Sequence, residues 1–314
     1  MQDASGTLEL HAMRALRNAA VAVLTLWLCA LPAAAQSVAL SFDDGLDPRK
    51  QPEAAQWNAR LLEHLRKARV RAMLFPAAGR VDTPEAMALV RAWGDAGHRI
   101  GNHTYSHRNL NTEAVTADGF IADVERAAAL LRDMPNWTPM LRFPYLKEGD
   151  SAEERDAVRG WMTDHDYLPA PPSIDTSDWY YNQRFLAERS RCPECDTSTL
   201  ERAYVAHLLD RARYYDGLAR EVLGRSPRHV LLLHTNAINA ECLDEVIAGF
   251  RAQGWKIVSP QRAYRDPLYD QRPETVPAGE SIVWALARAR GIDGLRYPAE
   301  DGVYEAAAVD AALE

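Results

Sequence analysis

The sequence predicts an α/β fold, a parallel (β/α) barrel of about seven strands followed by a C-terminal helical tail. Short apolar segments alternate with amphipathic segments of helical length along most of the chain, which is typical of parallel strands joined by helices. The run Val-Leu-Leu-Leu at 230–233 is apolar without interruption, as expected of a parallel strand covered on both faces. An open doubly wound sheet is the alternative that the same alternation allows.

The elements follow from this periodicity and from boundary signals. Strand-like patterns cover residues 38–42, 70–75, 98–102, 140–143, 173–174, 230–233 and 256–258. Helical patterns cover residues 53–68, 84–96, 118–133, 152–164, 200–223 and 241–253. Thr83 before Pro84 is a helix start signal, and Gly97 is a stop signal. After about residue 262 the chain is rich in proline and charge, and it becomes helical again near 282–290.

The chain is predicted to contain three parts. Residues 1–35 have the pattern of an export signal, with Arg14 and Arg17 before an apolar stretch and an Ala-x-Ala site before Gln36. Met13 is an alternative start, and an uncleaved anchor is an alternative interpretation, although the apolar stretch is short for a membrane span. Residues 36–262 would form the barrel, and 263–314 an extension that packs on it. We therefore expect an exported protein, periplasmic or secreted, without a stable membrane span after cleavage.

Charge and cysteine content restrict the partners. The formal net charge is -8, without a basic cluster, which argues against nucleic acid and favours an uncharged or weakly charged substrate. Cys192 and Cys195 are compatible with a redox motif, half a zinc knuckle or a short disulfide, and export favours the disulfide. Cys242, on a predicted helix, is expected to be a buried thiol. The sequence leaves the oligomeric state open.

Two adjacent carboxylates, Asp43 and Asp44, end the first predicted strand in Ser-Phe-Asp-Asp-Gly at 41–45. Like charges at one strand tip are costly to desolvate unless a cation lies beside them. His103 and His107 would be neighbours on one helical turn, about 5–6 Å apart at Cβ. Two imidazoles and a carboxylate, with a position left for water, are usual ligands of a catalytic zinc ion. A solvated turn and a chance histidine pair are the alternatives for either motif alone.

Three further clusters also follow predicted strands. They are Arg142-Phe143-Pro144-Tyr145, Asp175-Thr176-Ser177-Asp178-Trp179 and Leu232-Leu233-His234. Taken alone, each has a structural alternative: a surface loop, an ordinary turn and a hydrogen-bonded histidine, respectively. In parallel barrels the C-terminal strand ends carry the chemistry, so the shared location of all five clusters indicates one site.

Read in order, the five clusters resemble the motifs of the polysaccharide deacetylases of carbohydrate esterase family 4, the NodB homology domain. The resemblance spans about residues 38–260. It implies a distorted barrel with fewer than eight complete units. It also implies a hydrolase that uses a metal to remove N-acetyl or O-acetyl groups from carbohydrate, acting on carbon–nitrogen bonds other than peptide bonds in the first case.

The resemblance further implies residue roles at a metal centre. Asp44, His103 and His107 would bind one divalent ion, with zinc as the default and cobalt, nickel or manganese as alternatives. The ion would act as a Lewis acid on the acyl carbonyl and acidify the attacking water. Asp43 would be the general base, held ionised by the cation and by Arg142.

The remaining roles concern the leaving group and the acyl pocket. His234 would be the general acid, oriented and kept protonated by Asp178. The backbone N–H of Tyr145 would stabilise the oxyanion. Trp179 and Leu232 would wall the pocket for the acyl methyl group.

Two features leave the substrate open. Asp175 is expected to cap its loop, and Asn239 either caps the helix at 241–253 or contacts sugar. A long segment with the Cys192–Cys195 loop separates Trp179 from the last motif. The favoured function is deacetylation of an acetylated glycan or amino sugar. The alternatives are deformylation or deacetylation of a small amino-sugar or glycolipid precursor, and a non-catalytic glycan-binding barrel, which the intact motifs disfavour.

Overall fold

Strands and helices alternate along residues 36–314, the part of the chain that the computed structural model describes. The predicted export signal at 1–35 lies outside the described residues. The strands are β1 (Ser37–Asp44), β2 (Met73–Pro76), β3 (Arg99–Asn102), β4 (Trp137–Leu141), β5 (Lys147–Gly149), β6 (Leu168–Pro169), β7 (Arg228–His234), β8 (Lys256–Ile257) and β9 (Ala278–Gly279).

The helices cover the outside of this sheet and form the C-terminal segment. They are α1 (Ala54–Ala68), α2 (Pro84–Asp95), α3 (Ala117–Leu131), α4 (Ala152–Asp164), α5 (Asp178–Arg191), α6 (Ser198–Leu223), α7 (Ala237–Ala252), α8 (Pro260–Ala263), α9 (Ile282–Ala289) and α10 (Ala306–Leu313). Short 3₁₀ helices cover Ala78–Arg80, Pro144–Leu146, Pro267–Asp270 and Gly302–Tyr304. Among the described residues, none of these helices combines the length and apolar character that a membrane crossing requires.

The main sheet is parallel and curls into a distorted barrel. Its order is β6-β4-β3-β2-β1-β7, with β8 beside β1. The segment after β6 joins the two ends of this series. The N–H of Ala170 donates to the carbonyl of Leu141 in β4 (2.8 Å), whereas the N–H of Ser173 donates to the carbonyl of Val230 in β7 (2.9 Å). The predicted distorted barrel is therefore confirmed, and the open doubly wound alternative is wrong.

Strand β1 lies at the centre of the core. It pairs with β2 and β7 in a register that places Phe42 beside Leu74 and Leu40 beside Leu231, all at most 1% exposed. The ring of Phe42 packs against Trp93 of α2, with 5.1 Å between ring centroids. Burial of a side chain of this size stabilises the fold by about 1.5–3 kcal/mol, so the apolar pattern sets the strand register.

The chain after residue 262 contacts the barrel. Strand β9 pairs antiparallel with β5, and the N–H of Ile282 donates to the carbonyl of Pro172 (2.9 Å). Trp284 of α9 is 4% exposed, and its indole N–H donates to the carbonyl of Arg296 (2.7 Å). The pairing of β9 with β5 and the hydrogen bond from Ile282 to Pro172 therefore attach the segment to the barrel, and Trp284 packs inside the segment.

Several elements differ from the sequence-based expectations. Helix α5 covers a stretch for which no helix was predicted, because its polar sequence buries few side chains and has a weak periodicity. The short strand expected at 173–174 is a single bridge between Ile174 and Leu231. Helix α7 begins earlier than expected, because Asn236 rather than Asn239 accepts the capping hydrogen bond.

The cysteine predictions agree with the structure. Cys192 and Cys195 form a disulfide with their Cα atoms 5.3 Å apart. Cys242 is a buried free thiol in α7.

We expect Leu231→Ala to lower the free energy of unfolding by about 2–5 kcal/mol, because it leaves a cavity in the middle of the barrel. Leu168→Ala makes the same chemical change at a position that is 58% exposed, and it should cost less than about 1 kcal/mol. Urea unfolding of both variants measures the difference. Equal losses would contradict the assigned register.

Candidate active site

The carboxyl ends of the parallel strands open into a cavity of about 770 Å³. Eight of the residues predicted for the site line it: Asp43, Asp44, His103, His107, Tyr145, Trp179, Leu232 and His234. The other two, Arg142 and Asp178, lie fully buried behind this lining. The pairing of β1 with β7 places Asp43 directly opposite His234, so residues 191 positions apart face one space.

The side chains of Asp44, His103 and His107 converge on one point of the cavity. One ligand atom from each lies within 4.8 Å of the others. Nε2 of His107 is 3.3 Å from Oδ1 of Asp44, and Nε2 of His103 is 3.9 Å from the same oxygen. That oxygen is buried without a hydrogen-bond partner among the described residues, which is the state expected of a metal ligand.

The protonation states of His103 and His107 also suit metal binding. Nδ1 of His103 lies 2.7 Å from the carbonyl of Arg142 and therefore carries the hydrogen, which leaves a lone pair on Nε2 facing Asp44. Burial, together with His107, holds the pKa of His103 well below its usual value. Burial lowers the pKa of His107 to about 4, although Asp44 opposes the shift. Both rings are therefore neutral near pH 7, which is the form that binds metals. The three residues fit a divalent ion.

The expectation that His103 and His107 share a helical turn is wrong. Residues 103–107 form a loop after β3, with Thr104 at φ 62° and His107 at φ 53°. The loop is held by Asp123 of α3, whose carboxylate accepts the N–H and hydroxyl of Ser106 (2.8 and 2.9 Å). The loop nevertheless brings the imidazole centroids to 4.8 Å, because its left-handed residues fold the chain back on itself.

The carboxylate of Asp43 lies near His103 and is also bound by the guanidinium of Arg142. Nη1 of Arg142 donates to both carboxylate oxygens of Asp43 (3.1 and 3.0 Å). Burial raises the pKa of Asp43 to about 6, and the Arg142 guanidinium limits this rise. The carboxylate form therefore predominates at neutral pH, as a base requires. The alternative of a surface loop at Arg142 is wrong, since this side chain is 0% exposed.

His234 and Asp178 form the opposite wall. Nδ1 of His234 is 2.5 Å from Oδ1 of Asp178, and Oδ2 of Asp178 accepts the backbone N–H of His234 (2.8 Å). Asn236 and Asn239 donate to the same carboxylate (3.1 and 2.7 Å), so Asn239 is a buried support rather than a cap. Burial alone would lower the pKa of His234, but Asp178, followed by Asp44 and Asp43, raises it to about 10.

A second group of possible ligand atoms, from Asp178, His234 and Glu300, is also compact. The raised pKa of His234 keeps that ring protonated at neutral pH, and a protonated imidazole has no lone pair for a metal. Among the described residues, the Asp44 group is therefore the candidate metal site that offers neutral imidazoles.

The predicted substrate-facing residues lie around these walls. Tyr145 has a left-handed backbone (φ 54°), and its ring packs against His107 with 4.8 Å between centroids. Trp179, the second residue of α5, is 39% exposed at the rim, and Leu232 is 2% exposed deeper inside. Trp179 directly follows Asp178 in the chain, and Leu232 lies two residues before His234 in β7, on the same face of that strand.

The cavity lining also includes residues that the sequence analysis did not assign to the site, among them the charged residues Arg80, Lys147, Glu280 and Glu300. Arg80 forms an ion pair with Oδ2 of Asp44. Burial alone would raise the pKa of Asp44, but the charges of His234 and Arg80 lower it to about 2. Arg80 follows β2, so its position after a strand was an available signal. No such signal exists for Glu280 and Glu300, which come from the C-terminal segment.

The prediction that Asp175 caps its loop is wrong. Its side chain is 2% exposed, and neither carboxylate oxygen has a hydrogen-bond partner among residues 36–314. It lines the cavity instead.

Comparisons with known proteins bear on the first three motifs. Residues 31–159 match a family model described as polysaccharide deacetylase. A peptidoglycan-N-acetylglucosamine deacetylase from Bacillus cereus is 29% identical over 143 residues, 45% of this chain and 46% of that protein. The chain thus aligns with about half the length of this curated relative. The matches confirm the resemblance to polysaccharide deacetylases, and the matched family range ends before Asp178 and His234.

Solved structures share the fold. A carbohydrate esterase family 4 pseudoenzyme from Bacillus anthracis is 19% identical, with a TM-score of 0.51 over 73% of this chain and 66% of that chain. A carbohydrate esterase family 4 esterase from Streptococcus mutans is 18% identical, with a TM-score of 0.50 over 73% of this chain and 88% of that chain. These likenesses concern the fold, and the presence of a pseudoenzyme means that the fold alone does not decide activity.

In the metal-free protein, we expect the ring of His234 to titrate near pH 10 and Asp178→Asn to lower that pKa, because Asp178 is its principal stabilising anion. Nitrogen NMR of the imidazole across this range gives the measurement. Asp210→Asn removes an exposed carboxylate outside the cavity and should leave the titration in place. A pKa that is unchanged in Asp178→Asn would contradict this electrostatic pairing.

Proposed function

We propose that this chain, whose residues 31–159 match the polysaccharide deacetylase family model, is an exported, metal-dependent hydrolase that removes acetyl groups from a carbohydrate. The observation that carries the proposal is the set of three groups around one cavity. A neutral two-histidine and carboxylate cluster, an ionised Asp43 and a protonated His234 face the same space. Hydrolysis of an acyl bond needs an electrophilic centre, a base and an acid in this arrangement.

A divalent ion held by Asp44, His103 and His107 would polarise the acyl carbonyl and lower the pKa of water, and zinc is the default for this donor set. Asp43 accepts the proton of the attacking water, and its contact with Arg142 keeps it in the carboxylate form that can do so. Cobalt, nickel or manganese would suit the same ligands.

His234 donates a proton to the departing nitrogen or oxygen as the bond to the acyl carbon breaks. Asp178 holds the ring by Nδ1 and stabilises the imidazolium, so that Nε2 is directed towards the cavity. The N–H of Tyr145 would donate to the oxygen that gains charge, and Trp179 and Leu232 would enclose the acyl methyl group. The products are acetate and a free amine or hydroxyl.

An N-acetylglucosamine-containing glycan is the first substrate class to test, because the Bacillus cereus relative is a peptidoglycan-N-acetylglucosamine deacetylase. One observation favours a second candidate, a deformylase or deacetylase of a small amino-sugar or glycolipid precursor. Glu280, Pro298 and Glu300 of the C-terminal segment enclose one side of the cavity, which would suit a short substrate. Rates on polymer and on short oligomers separate the two.

We expect the purified protein to release acetate from N-acetylglucosamine oligomers, to lose this activity on complete metal removal and to regain it with added zinc. Acetate assay before and after chelation provides the measurement. Full activity after verified metal removal would contradict the metal role. Tight oligomer binding without turnover across a panel of acylated glycans would support the non-catalytic alternative.

Two variants separate the ion from the base. Asp43→Asn should retain bound zinc and lower kcat by about 10²–10⁴-fold, because it removes the proton acceptor but no ligand. His107→Ala should lose both zinc and turnover. Metal analysis and acetate release are measured on the same samples, with His165→Ala as an exposed-histidine control. Normal turnover by Asp43→Asn would exclude its role as base.

A further inference from the structure

Asp175 and Glu300 are two of the carboxyl groups that line the cavity without a part in the mechanism above. Asp175 follows the segment that closes the barrel, and Glu300 comes from the C-terminal segment. Both line the catalytic cavity. Both oxygens of Asp175 and Oε1 of Glu300 are buried without a hydrogen-bond donor among the described residues. Buried acceptors without donors are costly, so this pair requires a donor from elsewhere.

Burial disfavours a negative charge on either group. It raises the pKa of Asp175 to about 6. Burial, followed by the neighbouring Asp175, raises the pKa of Glu300 well above its usual value. Glu300 is therefore the neutral member of the pair near pH 7, and its carboxyl oxygen and those of Asp175 can accept hydrogen bonds from a ligand.

The backbone around Glu300 fixes its position. Ala299 before it is 5% exposed, and Asp301 after it accepts the N–H of Val303 (3.1 Å) at the start of a 3₁₀ helix. Gly302 lies against the ring of Tyr180, where a Cβ atom would come within 2.4 Å of Cδ2. Tyr180 is next to Trp179 at the rim of the cavity. The C-terminal segment is thus anchored on α5 with Glu300 directed towards the catalytic groups.

Glu300 also lies close to the proposed acid. A carboxylate oxygen of Glu300, one of Asp178 and a ring nitrogen of His234 lie within 4.8 Å of one another. A substrate whose leaving atom reaches His234 therefore places its adjoining sugar atoms beside the Asp175–Glu300 pair. Sugar hydroxyl groups are donors, and the exposed face of Trp179 is available for the sugar ring.

We propose that Asp175 and Glu300 form a sugar-binding subsite that accepts hydrogen bonds from hydroxyl groups next to the scissile acyl group, and that Glu300 is a specificity-determining residue. The inference rests on the proposed function and deepens it. It gives the C-terminal segment a direct part in substrate recognition. The subsite would bind the sugar, whereas the candidate metal cluster and Asp43 would act on the acyl group.

The test compares a sugar substrate with one that has no sugar. The probes are the pentamer of N-acetylglucosamine and 4-nitrophenyl acetate, with zinc-loaded protein. Glu300→Ala should lower kcat/KM on the pentamer at least about tenfold more than on the ester, because a hydrogen-bonded group is lost from sugar binding alone. Glu300→Gln, which copies the neutral carboxyl, should recover most of this loss. Asp293→Asn removes an exposed carboxylate of the same segment and is the matched control.

A binding measurement separates this inference from the proposed function. Calorimetric titration of the pentamer into Asp43→Asn and into Asp43→Asn/Glu300→Ala should show affinity about tenfold weaker in the second. If the wild-type protein cleaves neither probe, the proposed function fails, while the titration still decides the subsite. The subsite would be overturned if Glu300→Ala lowered kcat/KM equally on the two probes, or lowered it on neither. It would also be overturned if the pentamer did not bind to Asp43→Asn.

Discussion

The buried contact between Arg142 and Asp43 is the constraint on which the rest of the site depends. The guanidinium is fully buried, and it joins the tip of β1 to the segment that closes the barrel through the carbonyl of Ala170 (2.6 Å). Breaking such a pair leaves an uncompensated charge, at a cost of about 3–5 kcal/mol. Ser41 also accepts from Arg142 (3.1 Å), so the contact that closes the barrel also fixes the position and the charge of the proposed base.

Histidines on the two sides of this contact are held in opposite protonation states. His103 and His107 lie where burial dominates and the neutral ring is favoured, so they suit metal binding. His234 is also buried, but the carboxylate of Asp178 outweighs the desolvation and favours the charged ring. Because the register of β1 and β7 sets Asp43 opposite His234, the proposed base and the proposed acid line one cavity, with the candidate metal ligands beside them.

The C-terminal segment completes the cavity on the side that the barrel leaves open. Strand β9 pairs with β5 directly after the Tyr145 turn, and Lys147 of that strand forms an ion pair with Glu280. The segment therefore supports the loop that carries the proposed oxyanion donor and also supplies Glu300. The proposed reaction centre therefore lies in the barrel, and the C-terminal segment supplies part of the proposed substrate-binding surface.

The sequence alone determined the fold class and identified the three residues of the candidate metal cluster. Apolar segments alternate with amphipathic ones because the parallel strands are buried on both faces and the helices on one face only. Acids and histidines at the strand ends lie close together because parallel strands end at the same edge of the sheet. The tertiary structure decided what depends on distant contacts. His103 and His107 lie in a loop and not on the predicted helical turn. Helix α5 begins at Asp178, and Asp175 and Glu300, 125 positions apart, line the same cavity. The local sequence pattern does not predict which distant residues lie together, because this depends on how separate elements pack against one another.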